Sequence, residues 1–122
     1  MHELSLCQSI LKAVEDEFPG EQLEKVREIH LRAGILSGVE PSILQNIFLF
    51  MIRSSGLENA VLLIEQPGIS AYCQTCEHSF SVEHFVFVCP ECGESSSDIL
   101  TGNELKIFKI ILEEYSHEKI SC

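Results

Sequence analysis

Leu4, Cys7, Leu11, Val14 and Phe18 recur at alternating steps of three and four residues, one stripe on a helix. Pro19-Gly20 stops that helix, and its stripe predicts core contacts, with Cys7 as a small buried hydrophobe. The next segment, Glu28-Ile29-His30-Leu31-Arg32-Ala33, alternates polar with apolar and predicts a half-buried strand. His30 falls on its polar face, as a solvated side chain. Gly34 and Gly38 bracket a turn, and Pro41 suits the first turn of a second helix, where a missing N–H costs nothing. Ile43, Leu44, Ile47, Phe48, Met51 and Ile52 give that helix a broad apolar face for packing on a sheet. Ala60 to Ile64 is a short continuous apolar run and predicts a buried strand.

The pattern changes at Pro67-Gly68. From Ala71 to about Ser97 the chain has four cysteines, few aliphatics and a serine run, with aromatic residues between the cysteine pairs. After Gly102 an apolar segment returns from Leu105 to Leu112; its partial alternation favours a strand, although Phe108 to Leu112 would also suit a helix. The expected fold class is therefore α+β. A small mixed α/β domain, a sheet packed with two helices, takes residues 1–68 and 103–122. A cysteine module at 69–102 is inserted into it, and the last long strand rejoins the first sheet.

Charge removes whole classes of function. The 122 residues hold 8 Lys+Arg against 19 Asp+Glu, a formal net charge of −11, and no Lys or Arg occurs between Arg53 and Lys106. Nucleic-acid binding needs cations that displace the counterions of phosphate, so this chain repels polyanions. The longest apolar run, Ile47 to Ile52, is far short of the roughly 18 residues of a membrane span. Met1-His2-Glu3-Leu4-Ser5 has no basic region of a secretory signal, and Glu15, Asp16 and Glu17 follow soon after. The expected compartment is the cytoplasm, where thiols stay reduced.

That compartment decides the reading of the cysteines. Cys73-x-x-Cys76 and Cys89-x-x-Cys92 are separated by twelve residues, with Pro90 inside the second pair and Gly93 after it. Two such knuckles set four thiolates tetrahedrally around one ion, with Zn–S distances of about 2.3 Å. The two-residue spacer lets backbone N–H groups turn toward the sulfurs. Phe85-Val86-Phe87-Val88 is expected to form a hairpin arm that scaffolds the second knuckle. Disulfides are disfavoured by the compartment, and a thioredoxin-like pair lacks its βαβ context. Cys73, Cys76, Cys89 and Cys92 are thus expected to hold structural Zn²⁺ in a closed site with no open position for hydrolysis. His78 and His84 lie close in sequence and are read as bystanders, as are Cys7 and Cys122. The module also carries Glu77, Glu83, Glu91, Glu94 and Asp98 and no cation, which suits protein contact or a stiffening role.

His2 offers different chemistry. A large second residue retains the initiator Met, so the Met1 amine, the His2 amide nitrogen and the His2 imidazole can converge on one ion. Nitrogen-rich, square-planar coordination suits Ni²⁺ or Cu²⁺ better than Zn²⁺. A histidine at this position is also a common feature of a terminus with no role.

The opening Met1-His2-Glu3-Leu4-Ser5-Leu6 is followed by Gln8-Ser9-Ile10, the turn Ser37-Gly38-Val39-Glu40-Pro41, the knuckle Cys89-Pro90-Glu91-Cys92-Gly93 and the return Gly102-Asn103-Glu104-Leu105. In this order, from residue 1 to about 113, they resemble the HypA/HybF family of nickel metallochaperones for [NiFe]-hydrogenase maturation. The resemblance implies that Met1, His2 and Glu3 hold nickel and that the four cysteines hold zinc. It implies delivery of Ni²⁺ rather than catalysis, with a HypB-type GTPase and the [NiFe]-hydrogenase large-subunit precursor as partners, and urease maturation proteins in some relatives. Glu40, just before the second helix, is an acidic position that would assist nickel or face a partner. The tail Tyr115 to Cys122 falls outside the pattern. The competing function is a zinc-ribbon interaction module with no nickel role. An enzyme is least supported, since there is no phosphate-binding Gly-rich loop, no open zinc site and no nucleophile–base signature.

Overall fold

A computed structural model of the chain describes residues 3–113 and 116–118. Helix α1 (Glu3–Glu17) buries Leu6, Cys7, Ile10, Leu11 and Val14, and Phe18 continues the apolar face just past its end. The expected stripe is thus shifted: Leu4 is exposed, and Leu6 and Ile10 enter the core. At 100° per residue Leu4 stands roughly 90° from the centre of the buried face. Pro19 and Gly20, the latter at φ 68°, divert the chain into a 3-10 helix (Gly20–Lys25).

Strand β1 (Val26–Ala33) buries Val26, Ile29, Leu31 and Ala33, the alternation its sequence predicts. His30, however, is half-buried rather than solvated. Its Nε2 lies 2.8 Å from Glu28 Oε1, and the edge of the Phe108 ring packs against the imidazole. Gly34 and Gly38, the second at φ 81°, flank a 3-10 turn, as the glycine spacing implies. Helix α2 (Pro41–Met51) begins with proline at its first position, and Glu40 caps it by accepting from the Ser42 N–H. Leu44, Phe48 and the following Ile52 are its core contacts, while Ile47 and Met51 flank them. The apolar face is narrower than expected, because Ile43 is exposed.

Strand β2 (Val61–Glu65) pairs parallel with β1, Leu62 opposite Ile29. It is not the fully buried strand its composition suggests. Leu62 is buried, but Val61 and Leu63 point to the opposite face, which no helix covers among the described residues, and are exposed. The chain then forms a second sheet from β3 (Ser70–Cys73), β4 (His78–Ser81) and β5 (Ile99–Thr101), in the order β4-β3-β5. It returns as β6 (Leu105–Leu112), antiparallel to β1, so the segment Phe108 to Leu112 is strand and not helix. Strand β7 (Ser116–Glu118) adds to the far side of β6, giving the order β2-β1-β6-β7.

A register shift between His30 and Leu31 leaves Phe108 as an extra residue in β6. The bulge turns its ring toward His30, with the Arg32 guanidinium 4.2 Å over it. Among the described residues the apolar core divides in two. The larger cluster joins α1, α2 and the first sheet; the smaller contains Ile69, Ala71, Cys73, Phe80, Val82 and Cys89. The two meet at a glycine pair. The Gly34 N–H donates to the Glu104 carbonyl at 2.8 Å and the Leu36 N–H to the Gly102 carbonyl at 2.6 Å. A Cβ on Gly34 would overlap the Gly102 carbonyl, so glycine is required for this approach.

Candidate metal centre

Strand β3 ends on Cys73, and the hairpin to β4 is the first knuckle. The Cys76 N–H donates to Cys73 Sγ at 3.4 Å, and the Glu77 N–H returns to the Cys73 carbonyl at 2.8 Å. In the second knuckle the Gly93 N–H returns to the Cys89 carbonyl at 2.9 Å. Glu77 and Gly93 hold equivalent places and both have positive φ, 57° and 78°. Gly93 signals its bend in the sequence; Glu77 adopts the same left-handed backbone without glycine's freedom, so no residue type announces the first bend.

The expected hairpin arm at Phe85–Val88 forms only in its second half, where Phe87 and Val88 pair with Ser96 and Ser95. Residues 83–86 form a turn, after which the Phe87 carbonyl accepts from the Ser96 N–H at 3.0 Å and Val88 bridges to Ser95. Phe85, Val86 and Val88 are exposed. The Cys89 N–H to Glu94 carbonyl bond, 2.9 Å, continues that pairing and closes the second knuckle.

The four sulfurs lie within 4.8 Å of one another. Cys73 Sγ stands 3.6 Å from Cys92 Sγ, and Cys89 Sγ 3.9 Å from Cys76 Sγ. A tetrahedron with Zn–S of about 2.3 Å has S···S edges of about 3.8 Å. Both distances fit a zinc-sized ion, and all four cysteines are free thiols. Cys73 and Cys89 are buried, Cys76 is half-buried and Cys92 is exposed, so one corner of the cluster faces solvent.

The thiols are electrostatically unequal. Backbone N–H groups of Cys92 and Glu91 aimed at Cys89 draw its pKa down to about 7. Hydrogen bonding to Cys92, then burial and the other two thiols, push Cys76 up to about 12. At Cys92 the Glu94 N–H pulls the value down, but burial and the Cys73 thiol leave it raised. Cys89 thus gives up its proton more readily than Cys76 or Cys92.

His78 bridges the two knuckles. Its Nε2 is 2.6 Å from Glu91 Oε2 and its Nδ1 3.1 Å from the Ser79 carbonyl; these contacts, Glu91 first, raise its pKa. Cys76, His78 and Glu91 form a second set of close donor atoms beside the four sulfurs. Reading His78 as a bystander therefore missed its contact with Glu91, since nothing in a spacing of thirteen residues signals it. His84 lies in the exposed turn, away from both sets.

At the other end of the molecule, Met1 and His2 lie outside the described residues, as does Cys122. Glu3 opens α1, and its Oε2 accepts from the Glu40 N–H at 3.3 Å. Glu40 Oε1 in turn accepts from the Ser42 N–H at 3.4 Å and lies 3.0 Å from Ser42 Oγ. The fold thus brings together two acids singled out separately in the sequence, 37 residues apart.

These features define a small α+β protein carrying a four-cysteine ribbon suited to a tetrahedral metal ion. Residues 1–112 match the family described as hydrogenase/urease nickel incorporation, metallochaperone, HypA. A hydrogenase maturation factor HypA from Prosthecochloris aestuarii is 38% identical over 113 residues, covering 93% of this chain and all of that one. One from Roseiflexus sp. is 35% identical over 121 residues, covering 97% of each chain. The fold matches the solution structure of the Ni metallochaperone HypA from Helicobacter pylori with a TM-score of 0.62 at 24% identity, over 92% of this chain and 97% of that one. The chain belongs to the HypA family of nickel-incorporation metallochaperones, and is a maturation factor rather than an enzyme. None of its described helices is long and apolar enough to cross a membrane.

Proposed function

We propose that this chain takes up Ni²⁺ at its N-terminus and passes it on during maturation of [NiFe]-hydrogenase. The observation that carries this reading is the family match beginning at residue 1, which includes Met1-His2-Glu3. The Met1 amine, the His2 amide and imidazole nitrogens and Glu3 would hold the ion as cargo; such a nitrogen-rich set suits Ni²⁺. The Glu3–Glu40 contact supports it, because it ties Glu3, at the head of α1, to the cap of α2.

Zn²⁺ on Cys73, Cys76, Cys89 and Cys92 would be structural, a closed tetrathiolate. Residues 69–102 would act as an inserted module and residues 1–68 with 103–122 as the nickel-binding body. The receiving partners would be a HypB-type GTPase and the [NiFe]-hydrogenase large-subunit precursor, with urease maturation proteins as further candidates, all in the cytoplasm.

Nickel titration of zinc-loaded protein with a native, untagged Met1 tests this. A square-planar absorption band and one ion per chain are expected, and His2→Ala should weaken nickel binding by about a hundredfold or more. Unchanged affinity in His2→Ala would reject the nickel reading and leave a zinc-ribbon interaction module.

A further inference from the structure

The turn between β4 and the second knuckle uses a backbone that its residues disfavour. The Val86 N–H donates to the Glu83 carbonyl at 3.1 Å, and the two central residues, His84 and Phe85, have φ of 55° and 58°. Two positive φ values in sequence mark a type I′ turn, a position ordinarily given to Asn-Gly or Gly-Gly. Each side chain here costs free energy that glycine would not. Local strain of this kind persists where the surrounding structure enforces it, and it concentrates at functional positions.

Enforcement is visible on both sides. Val82 is buried and its N–H donates to the Ile69 carbonyl at 2.9 Å; Phe87 packs on the ribbon core and its carbonyl accepts from the Ser96 N–H at 3.0 Å. Between these anchors the Phe85 ring is 62% exposed and Val86 56%. Phe85 takes no part in either apolar cluster, so core packing does not explain an aromatic residue there.

The surroundings state what would meet it. Residues 54–105 contain no Lys or Arg, and Glu77, Glu83, Glu91, Glu94 and Asp98 are all exposed. A second copy of this module, a nucleic acid or an anionic membrane would be repelled. We propose that the His84–Phe85 turn is a docking prong that seats the Phe85 ring in an apolar pocket of a partner protein rimmed by lysine or arginine. A rigidly presented aromatic residue in a pocket is the usual form of an interface hot spot, and complementary charge raises the rate of encounter. The proposal rests on the delivery reading above, which supplies the partners to be tried.

The test measures binding of full-length, zinc-loaded protein to the purified GTPase and to the purified hydrogenase large-subunit precursor, at low and high salt. Phe85→Gly removes the ring and relaxes the backbone. It should weaken binding to one partner at least about tenfold while the ribbon melts no lower than before. His84→Gly relaxes the same turn but keeps the ring, and should bind within about threefold of the parent chain. Parent binding should weaken as salt rises. Equal affinity in Phe85→Gly, equal losses in both variants, or salt-independent binding would each overturn the prong while leaving delivery intact. Failure of the parent chain to bind either partner would overturn both.

Discussion

Strand β1 lies in the middle of its sheet beneath α1 and α2 and buries Val26, Ile29, Leu31 and Ala33. Strand β3 is also central in its sheet, but it is four residues long, and the side chains it buries are Ala71 and Cys73. The contrast extends to whole regions. In the first, Leu44, Phe48, Ile29, Leu57 and Ile110 are fully enclosed; in the second, the cysteine sulfurs occupy the place such side chains would take. Burying apolar area contributes about 25 cal/mol per Å², so the first region can order itself and the second has too little such area to do so. Metal–thiolate bonds would supply the difference in the ribbon. The two regions should therefore fail independently and for different reasons.

Removing the metal gives the largest effect. Chelation of zinc, or Cys92→Ala, should unfold the ribbon while the body keeps its structure. Structural zinc is worth about 10–16 kcal/mol of apparent folding free energy at neutral pH in small domains. In amide NMR spectra, signals from residues 69–102 should collapse into the unfolded range while those of α1, α2, β1 and β2 stay dispersed. Loss of dispersion throughout the chain would show that the two cores are one cooperative unit, joined through the Gly34–Gly102 contact.

The converse break is Phe48→Ala. Phe48 is fully buried between α2 and the sheet, and truncating such a ring costs about 3–5 kcal/mol. The unfolding free energy of the body should fall by that amount, read from its denaturation curve, with zinc content held at the parent level. Loss of zinc in this variant would mean that the ribbon depends on the body for its shape.

The regions also differ in how far their sequences disclosed them. Periodicity located β1 and the two helices, because a half-buried element repeats its burial along its own length. The return of β6 to the first sheet was legible from the same pattern. What periodicity could not show was the far side of each element. Val61 and Leu63 read as buried, yet both are exposed on the face opposite Leu62; Leu4 fits the stripe of α1 but lies on its flank. The covering of His30 depends on a one-residue bulge at Phe108, a property of the pairing and not of either strand.

In the ribbon, cysteine spacing disclosed the sulfur cluster while the local backbone stayed hidden. Phe85 to Val88 has the composition of a strand, but the chain there is governed by its anchors at Val82 and Phe87. The positive φ at Glu77, His84 and Phe85 has no residue signature at all. The Glu3–Glu40 contact was hidden for another reason, since it joins residues whose proximity only the packing of α1 on α2 creates.

That contact gives the finest test of the comparison. Glu40 is exposed, and its carboxylate serves as the cap of α2, accepting from the Ser42 N–H and lying beside Ser42 Oγ. Replacing an N-terminal cap with alanine costs about 1 kcal/mol. Glu40→Ala should lower the stability of the body by that amount, visible as a small shift of its denaturation midpoint. Glu40→Asp, which keeps a carboxylate and is itself a favoured cap, should recover most of the loss. Because the cost falls on α2, zinc content and the ribbon's spectrum should not change. The backbone N–H of Glu40 survives both substitutions, so the hydrogen bond to Glu3 has no reason to break. A nickel affinity that falls in Glu40→Ala and returns in Glu40→Asp would therefore point to the carboxylate itself, acting at the terminus it adjoins. Equal nickel affinity in all three proteins would confine Glu40 to capping.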